Sequence, residues 1–156
     1  MAGNYIAIKA AIKTALQGID GSPTYTLDLS ATDAVSEDRF SREATTLLPR
    51  AYLTPAEPAI QYRAATDYND LGTYGAIASF DLVVVVAPAD RSNGSRVRAA
   101  EIAMDDLVTA LSADRDLGST ALDIEMSLNV IQGAELASSP YGIVYATLSV
   151  IFHRVG

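Results

Sequence analysis

Apolar residues recur along this chain with two periods, and the change from one to the other marks out its elements. Tyr5, Ile8, Ile12, Leu16 and Ile19 step by three, four, four and three, drawing one apolar stripe at the helical period. Asn4 is placed to cap that helix and Gly18 or Gly21 to end it, with Lys9, Lys13 and Gln17 on the opposite side. Ser22-Pro23 breaks the pattern. Tyr25, Leu27 and Leu29 then alternate with Thr26 and Asp28, which predicts a strand over 25–29. Residues 30–69 hold no sustained period. Leu47 to Leu53 reads as a strand that Pro49 confines to an edge or a bulge, and Pro55 and Pro58 enforce an extended connection after it. So long an irregular stretch often orders against a partner, and 31–70 is read as an extended hairpin or arm.

The second half is more regular. Tyr74 to Ala87 predicts a long strand whose heart, Phe80-Asp81-Leu82-Val83-Val84-Val85-Val86, ends in five consecutive apolar residues. Such a run implies burial on both faces, or one face on the core and one against a neighbour. Pro88 and Ser92-Asn93-Gly94-Ser95 read as the exit turn. A helix follows over about 96–113, with Ala100, Met104, Leu107 and Leu111 on one stripe and Ala103 and Val108 beside it. Ile124, Met126, Leu128 and Val130 alternate through the next strand. Val144, Ala146, Leu148, Val150 and Phe152 do the same through the last, from Tyr141 to Val155. Gly133 and Pro140 in the connection make these two a hairpin. The order is α-β-(β)-β-α-β-β within a single domain, 1–156. Two amphipathic helices need an apolar surface, so the expected fold is α+β: a two-layer sandwich with a mostly antiparallel sheet of about five strands, two helices on one face, and the arm added.

Composition narrows the chemistry. A chain of 156 residues buries roughly 70 % of its unfolded surface and needs no covalent staples. It has no cysteine, which removes disulfides, thiol catalysis and zinc-thiolate sites. Its single histidine, His153, alternates onto the side opposite Phe152, the polar side of the last strand. No phosphate-binding glycine loop, G-x-S-x-G or H-E-x-x-H occurs. Asp114, Asp116, Gly118 and Glu125 fall at calcium-loop spacings, but Ser119 stands where the loop needs glycine and a strand follows where a helix should. Adjacent residues on a helix point about 100° apart, so Asp105 and Asp106 are unsuited as a carboxylate pair and read as a solvated face. The expectation is no catalytic set, no metal and no cofactor.

The net charge of −8 is uneven: Glu101 to Glu135 holds eight acids and one base, Arg115. Tight duplex binding draws on cationic contacts to phosphate, so this is not the composition of a DNA binder. An acidic surface serves solubility, or repels DNA that must pass without sticking. The longest apolar run, Leu82 to Ala89, is broken by Pro88 and is far short of the roughly 20 residues of a membrane span. Lys9 and Lys13 interrupt the first apolar stretch, the wrong order for an export signal, which points to folding in a cytoplasm. Arg39, Arg42, Arg50 and Arg63 lie in the irregular region. They are loop charges balanced by Glu37, Asp38 and Glu43, or else Arg39, Phe40 and Arg42 form an arm tip that docks on an acidic neighbour. Tyr62, Tyr68 and Tyr74 sit beside it and suit half-wet contacts.

From Phe80 onward the texture becomes specific. FDLVVVV leads through a polar turn into RVRAAEIAMDDLVTAL, then the turn DRDLGS, the alternating LDIEMSLNV and the terminal YGIVYATLSVIF. With the short opening helix, this resembles the tail terminator proteins of long-tailed bacteriophages, the minor tail protein U type. The resemblance lies in element order and covers most of the chain, least so 30–72. It implies a structural virion protein, assembled in the bacterial cytoplasm as a hexameric ring at the head-proximal end of the tail tube. Such a ring ends tube polymerisation and presents the surface that joins the capsid. Its implied partners are further copies of itself, the tail tube protein and a head-completion or neck protein, with DNA passing through the lumen unbound and no membrane involved. Arg39, Phe40, Arg42, Tyr68 and Tyr74 are the candidate subunit or tube contacts. A neck, head-completion or tube-like protein is the nearest alternative, and a small ligand-binding domain or enzyme a more distant one.

Overall fold

The opening stripe forms α1 (Tyr5–Gln17), whose Ile8, Ile12 and Leu16, with Ile19 just beyond, are completely buried. Each such side chain contributes about 1.5–3 kcal/mol on burial, which fixes this face of the helix on the core. The computed structural model describes residues 5–21, 23–39, 49–63, 73–90, 92–118, 121, 123–131 and 140–155; of 62, 63, 73–75 and 153–155 it describes the backbone. Among these lie β1 (Val35–Ser36), β2 (Arg50–Arg63), β3 (Thr73–Val86), α2 (Asn93–Ala113), β4 (Asp123–Val130) and β5 (Gly142–Val155). The strands form one sheet in the order β1-β2-β3-β5-β4, antiparallel except where β1 runs parallel to β2. The fold is α+β with a mostly antiparallel sheet.

Side-chain parity sorts the sheet into two faces. Phe80, Leu82, Val84 and Val86 of β3 and Val144, Ala146, Leu148 and Val150 of β5 join both helices in one core. Tyr5 ties α1 to the sheet centre by stacking on Phe80, ring centroids 4.6 Å apart. The five-residue apolar run is buried on both sides, as its lack of alternation predicts. Val83 and Val85 point the other way and pack with Tyr52, Ile131 and Ile143 in a second, smaller cluster. The β4–β5 hairpin forms as expected, with Ile124 opposite Val150 and Leu128 opposite Ala146.

Three expectations need correction. The strand over 25–29 does not form, although Leu27 and Leu29 are buried and Thr26 and Asp28 exposed as alternation requires. Instead, Asp106 Oδ2 on α2 accepts the Thr26 and Leu27 N–H groups at 2.9 and 2.8 Å, and Leu29 N–H donates to the Ile19 carbonyl at 2.7 Å. A helix carboxylate replaces the neighbouring strand, so Asp106 is a clamp and not part of a solvated face. Secondly, 50–63 belongs to the sheet: β2 pairs with β3 along its length, and Pro55 sits where the register shifts before Ile60. The Glu57–Pro58 bond is cis. Of the proposed arm, 40–48 and 64–70 lie outside the described residues. Thirdly, Ser92 belongs to no simple turn; it caps α2, accepting the Ser95 N–H at 3.2 Å, and the helix starts at Asn93. Hydrogen bonding from the Ser92 hydroxyl, then from the Ser92 N–H to Asp90 Oδ1, keeps the Asp90 carboxyl below its ordinary range.

Small residues let α2 lie close to the sheet. Ala100 and Ala103 are buried beneath it, and the start of β5 meets it at Gly142, where an added Cβ would stand 2.6 Å from the Arg96 carbonyl oxygen.

Candidate functional site

Both helices cover one face of the sheet, and the other is open over much of its middle. There the register aligns Thr54, Asp81, Thr147 and Ser127 in a row across four strands. The adjacent row runs Tyr52, Val83, Tyr145 and Asn129. Beyond the first row on the other side come Ser79, Ser149 and Glu125. Thr54 and Ser149 are half-buried, while Asp81, Ser127, Asn129 and Thr147 are exposed. Short hydroxyl and amide side chains thus pave a shallow groove of about 410 Å³, with Asp81 at its centre.

Arg39 lines this groove. The chain reaches it because β1 pairs with the outer edge of β2 and residues 37–39 continue from there. Glu37, in the same segment, turns to α1 and takes Lys9 at 3.2 Å and Lys13 at 3.8 Å. Among the described residues Glu37 thus balances lysines of α1. Of the other candidate contacts, Phe40, Arg42 and Tyr68 lie outside the described residues. Tyr74 belongs to β3 opposite Arg154, with only its backbone described. The structure brings Arg39 to its own sheet and says nothing of an arm tip. The residues that sequence reasoning missed are Thr54, Asp81, Ser127 and Thr147. Ser127 and Thr147 were visible as the polar half of alternating strands, whereas Thr54 lay beyond the strand expected over 47–53, and only the register places the four in one row.

The groove is lined by one acid and one base, Asp81 and Arg39. Asp81, Glu125 and Asp123 stand on the open face against Arg39, and Arg115 is taken up by Asp123 through two bonds of 2.8 and 3.0 Å. At the apolar end, the Arg50 guanidinium lies 5.4 Å over the Tyr52 ring. Hydrogen bonding from Arg115, then the Ile124 N–H, holds the Asp123 carboxyl below the usual carboxylate range. A depressed folded pKa adds stability that is present above the unfolded value and lost as pH falls through the folded one. Both side chains are exposed, so the effect on stability is small and the titration itself is the measurement. Arg115→Gln will move Asp123 up toward the ordinary range in a carboxyl NMR titration. Asp28, held low by Ser30, and Asp90, held low by Ser92, will stay where they are. An unmoved Asp123 would show that Arg115 is not its partner in solution.

The described lining of the groove holds one carboxylate, Asp81, beside hydroxyl, amide and aromatic groups. Among the described residues no cluster of three or more His, Cys, Asp or Glu side chains is placed to hold a metal ion. The calcium-like spacing after α2 opens with a turn that the Asp114 side chain closes: Asp114 Oδ1 accepts the Gly118 N–H at 3.0 Å, and Leu117 takes a positive φ to enter the core. No described helix is long and apolar enough to cross a membrane. The chain matches no known protein family and no curated protein sequence.

Proposed function

We propose that this protein is a structural ring subunit of a long-tailed bacteriophage, acting as the tail terminator at the head-proximal end of the tube. The observation that carries this reading is the open sheet face. It is four strands wide, surfaced by short neutral polar groups and carboxylates, and has Arg39 as its one described cation outside an ion pair or aromatic contact. A wall of this kind gives phosphate no array of cations to settle on, and the net charge of −8 acts in the same direction. Turned toward a central channel, it lets DNA pass without being held. The mechanism is physical. Identical subunits joined through two different surfaces close into a ring, one side of which fits the tube end while the other accepts no further tube subunit. The partners are copies of itself, the tube protein and a head-completion or neck protein, and the site of action is the virion tail.

Light scattering and negative-stain imaging of the purified chain test this. Six copies of 16.4 kDa give a ring of about 98 kDa with a central channel. A monomer that forms the ring only on purified tube ends, and stops their growth, supports the same role. A protein that forms no ring alone and neither binds nor caps tubes is not a terminator, and binding to the portal side instead would make it a neck protein.

A further inference from the structure

We propose that Ile6 of one copy of this chain seats in the apolar pocket beside the first turns of α2 on the next copy. Ile6 is 79 % exposed, the most exposed of the large apolar side chains among the described residues, and it stands on a helix whose other aliphatic residues of that size are buried. The pocket is the apolar counterpart. Leu27, Val86, Ala89, Ala99 and Ile102 line about 360 Å³, with Arg98 also on its wall. The Asp106 clamp builds part of that wall, since it fixes Thr26 and Leu27 against α2.

Ile6 does not fill its own pocket. Its neighbour Tyr5 stacks on Phe80, whereas the pocket lies at Val86 and Ala87 further along the same strand, roughly 20 Å away at a strand's rise per residue. An Ile6 seated in this pocket therefore belongs to another molecule, and charge selects a second copy of this chain. α1 carries Lys9 and Lys13 and no carboxylate, with the single Glu37 between them. Beside the pocket α2 presents exposed Glu101 and Asp105, and Asp90 adjoins Ala89, against Arg98 and the buried Arg96 among the described residues. A basic surface with an apolar knob thus faces an acidic surface with an apolar hole. The two are different surfaces of one molecule, so the contact is head-to-tail and repeats from copy to copy. It deepens the ring reading and rests on it only for the number of copies.

The absence of cysteine makes the test direct. Ile6→Cys and Ala99→Cys are purified separately, checked for cooperative unfolding like the parent, mixed in equal amounts and oxidised. Because each variant has one thiol, a mixed disulfide can only join two molecules. It is expected to exceed either homodisulfide by about tenfold or more, the ratio that a preference of about 1.4 kcal/mol produces. High salt lowers the yield. A random mixture of the three disulfides, or none, overturns the contact. If Ala99→Cys fails to fold, Ala89→Cys at the exposed rim replaces it. The mass of the parent assembly separates the two claims: a sixfold ring without the mixed disulfide removes this contact alone, and the mixed disulfide in an assembly of another size removes the sixfold ring alone.

Discussion

Gly142→Val will destabilise the protein by about 3 kcal/mol or more, at the upper end of what overpacking costs. At roughly 2–4 °C per kcal/mol for a chain of this size, the thermal midpoint falls by about 10 °C. The glycine is required for space, not for an unusual backbone angle. A Cβ here would lie 2.6 Å from the Arg96 carbonyl oxygen, 3.0 Å from Val86 Cγ2 and 3.2 Å from the Ala100 nitrogen. Two of those three are backbone atoms of α2, which no rotamer change can move aside. The helix must lift off the start of β5, loosening the core that Ala100 and Ala103 share with Val86 and Val144. Gly142→Ala meets the same oxygen and will show most of the loss. Thermal and urea unfolding measure it, and a change below about 1 kcal/mol, the range of an ordinary surface substitution, would mean that α2 does not sit this close.

Asp106→Ala will cost about 2 kcal/mol, because the two N–H groups of Thr26 and Leu27 lose a charged acceptor. Both bonds end on the same oxygen, Oδ2. An asparagine carbonyl can accept both without the charge, so Asp106→Asn will lose about half as much. Amide hydrogen exchange localises the effect: protection at Thr26 and Leu27 drops in the alanine variant and largely survives in the asparagine variant. Equal losses for the two would assign the contribution to the charge and not to the clamp. Exchange unchanged in both would remove the clamp altogether.

Asp106 also shows where the pattern of the sequence stops being informative. Alternation at Tyr25, Leu27 and Leu29 reports which side chains turn inward, and they do. It does not report what satisfies the backbone between them, and a carboxylate some eighty residues away did so in place of a strand. The helices and the strands β3, β4 and β5 were largely legible because each buries a periodic face. The apolar run of β3 announced two-sided burial because polar residues were missing from it. β2 was obscured by Pro55 and Pro58, which speak against an interior strand yet are accommodated at the register shift near the sheet's outer edge. The open polar groove was half legible: Ser127, Asn129 and Thr147 were recognisably solvent-facing, but its rows exist only once β5 is inserted between β3 and β4. The arm was a different matter, since Arg39 reached its own sheet through a parallel pairing of Val35–Ser36 that two residues cannot advertise.

That insertion has a kinetic consequence. β3 is the middle strand, and its inner partner β5 is the last element in chain order, following both α2 and β4. As the chain is synthesised, β2 and β3 can pair early, but the other edge of β3 waits until β5 has emerged. Until then Leu82 to Val86 present an unpaired, uncharged strand edge, the kind of surface that recruits foreign strands. Closing the sheet joins residues such as Thr73 and Val155 from far apart in the chain, which makes folding slow for a domain of this size and nearly all-or-none. Nascent-chain quality control therefore has one interval in which this protein most needs shielding, between completion of β3 and arrival of β5.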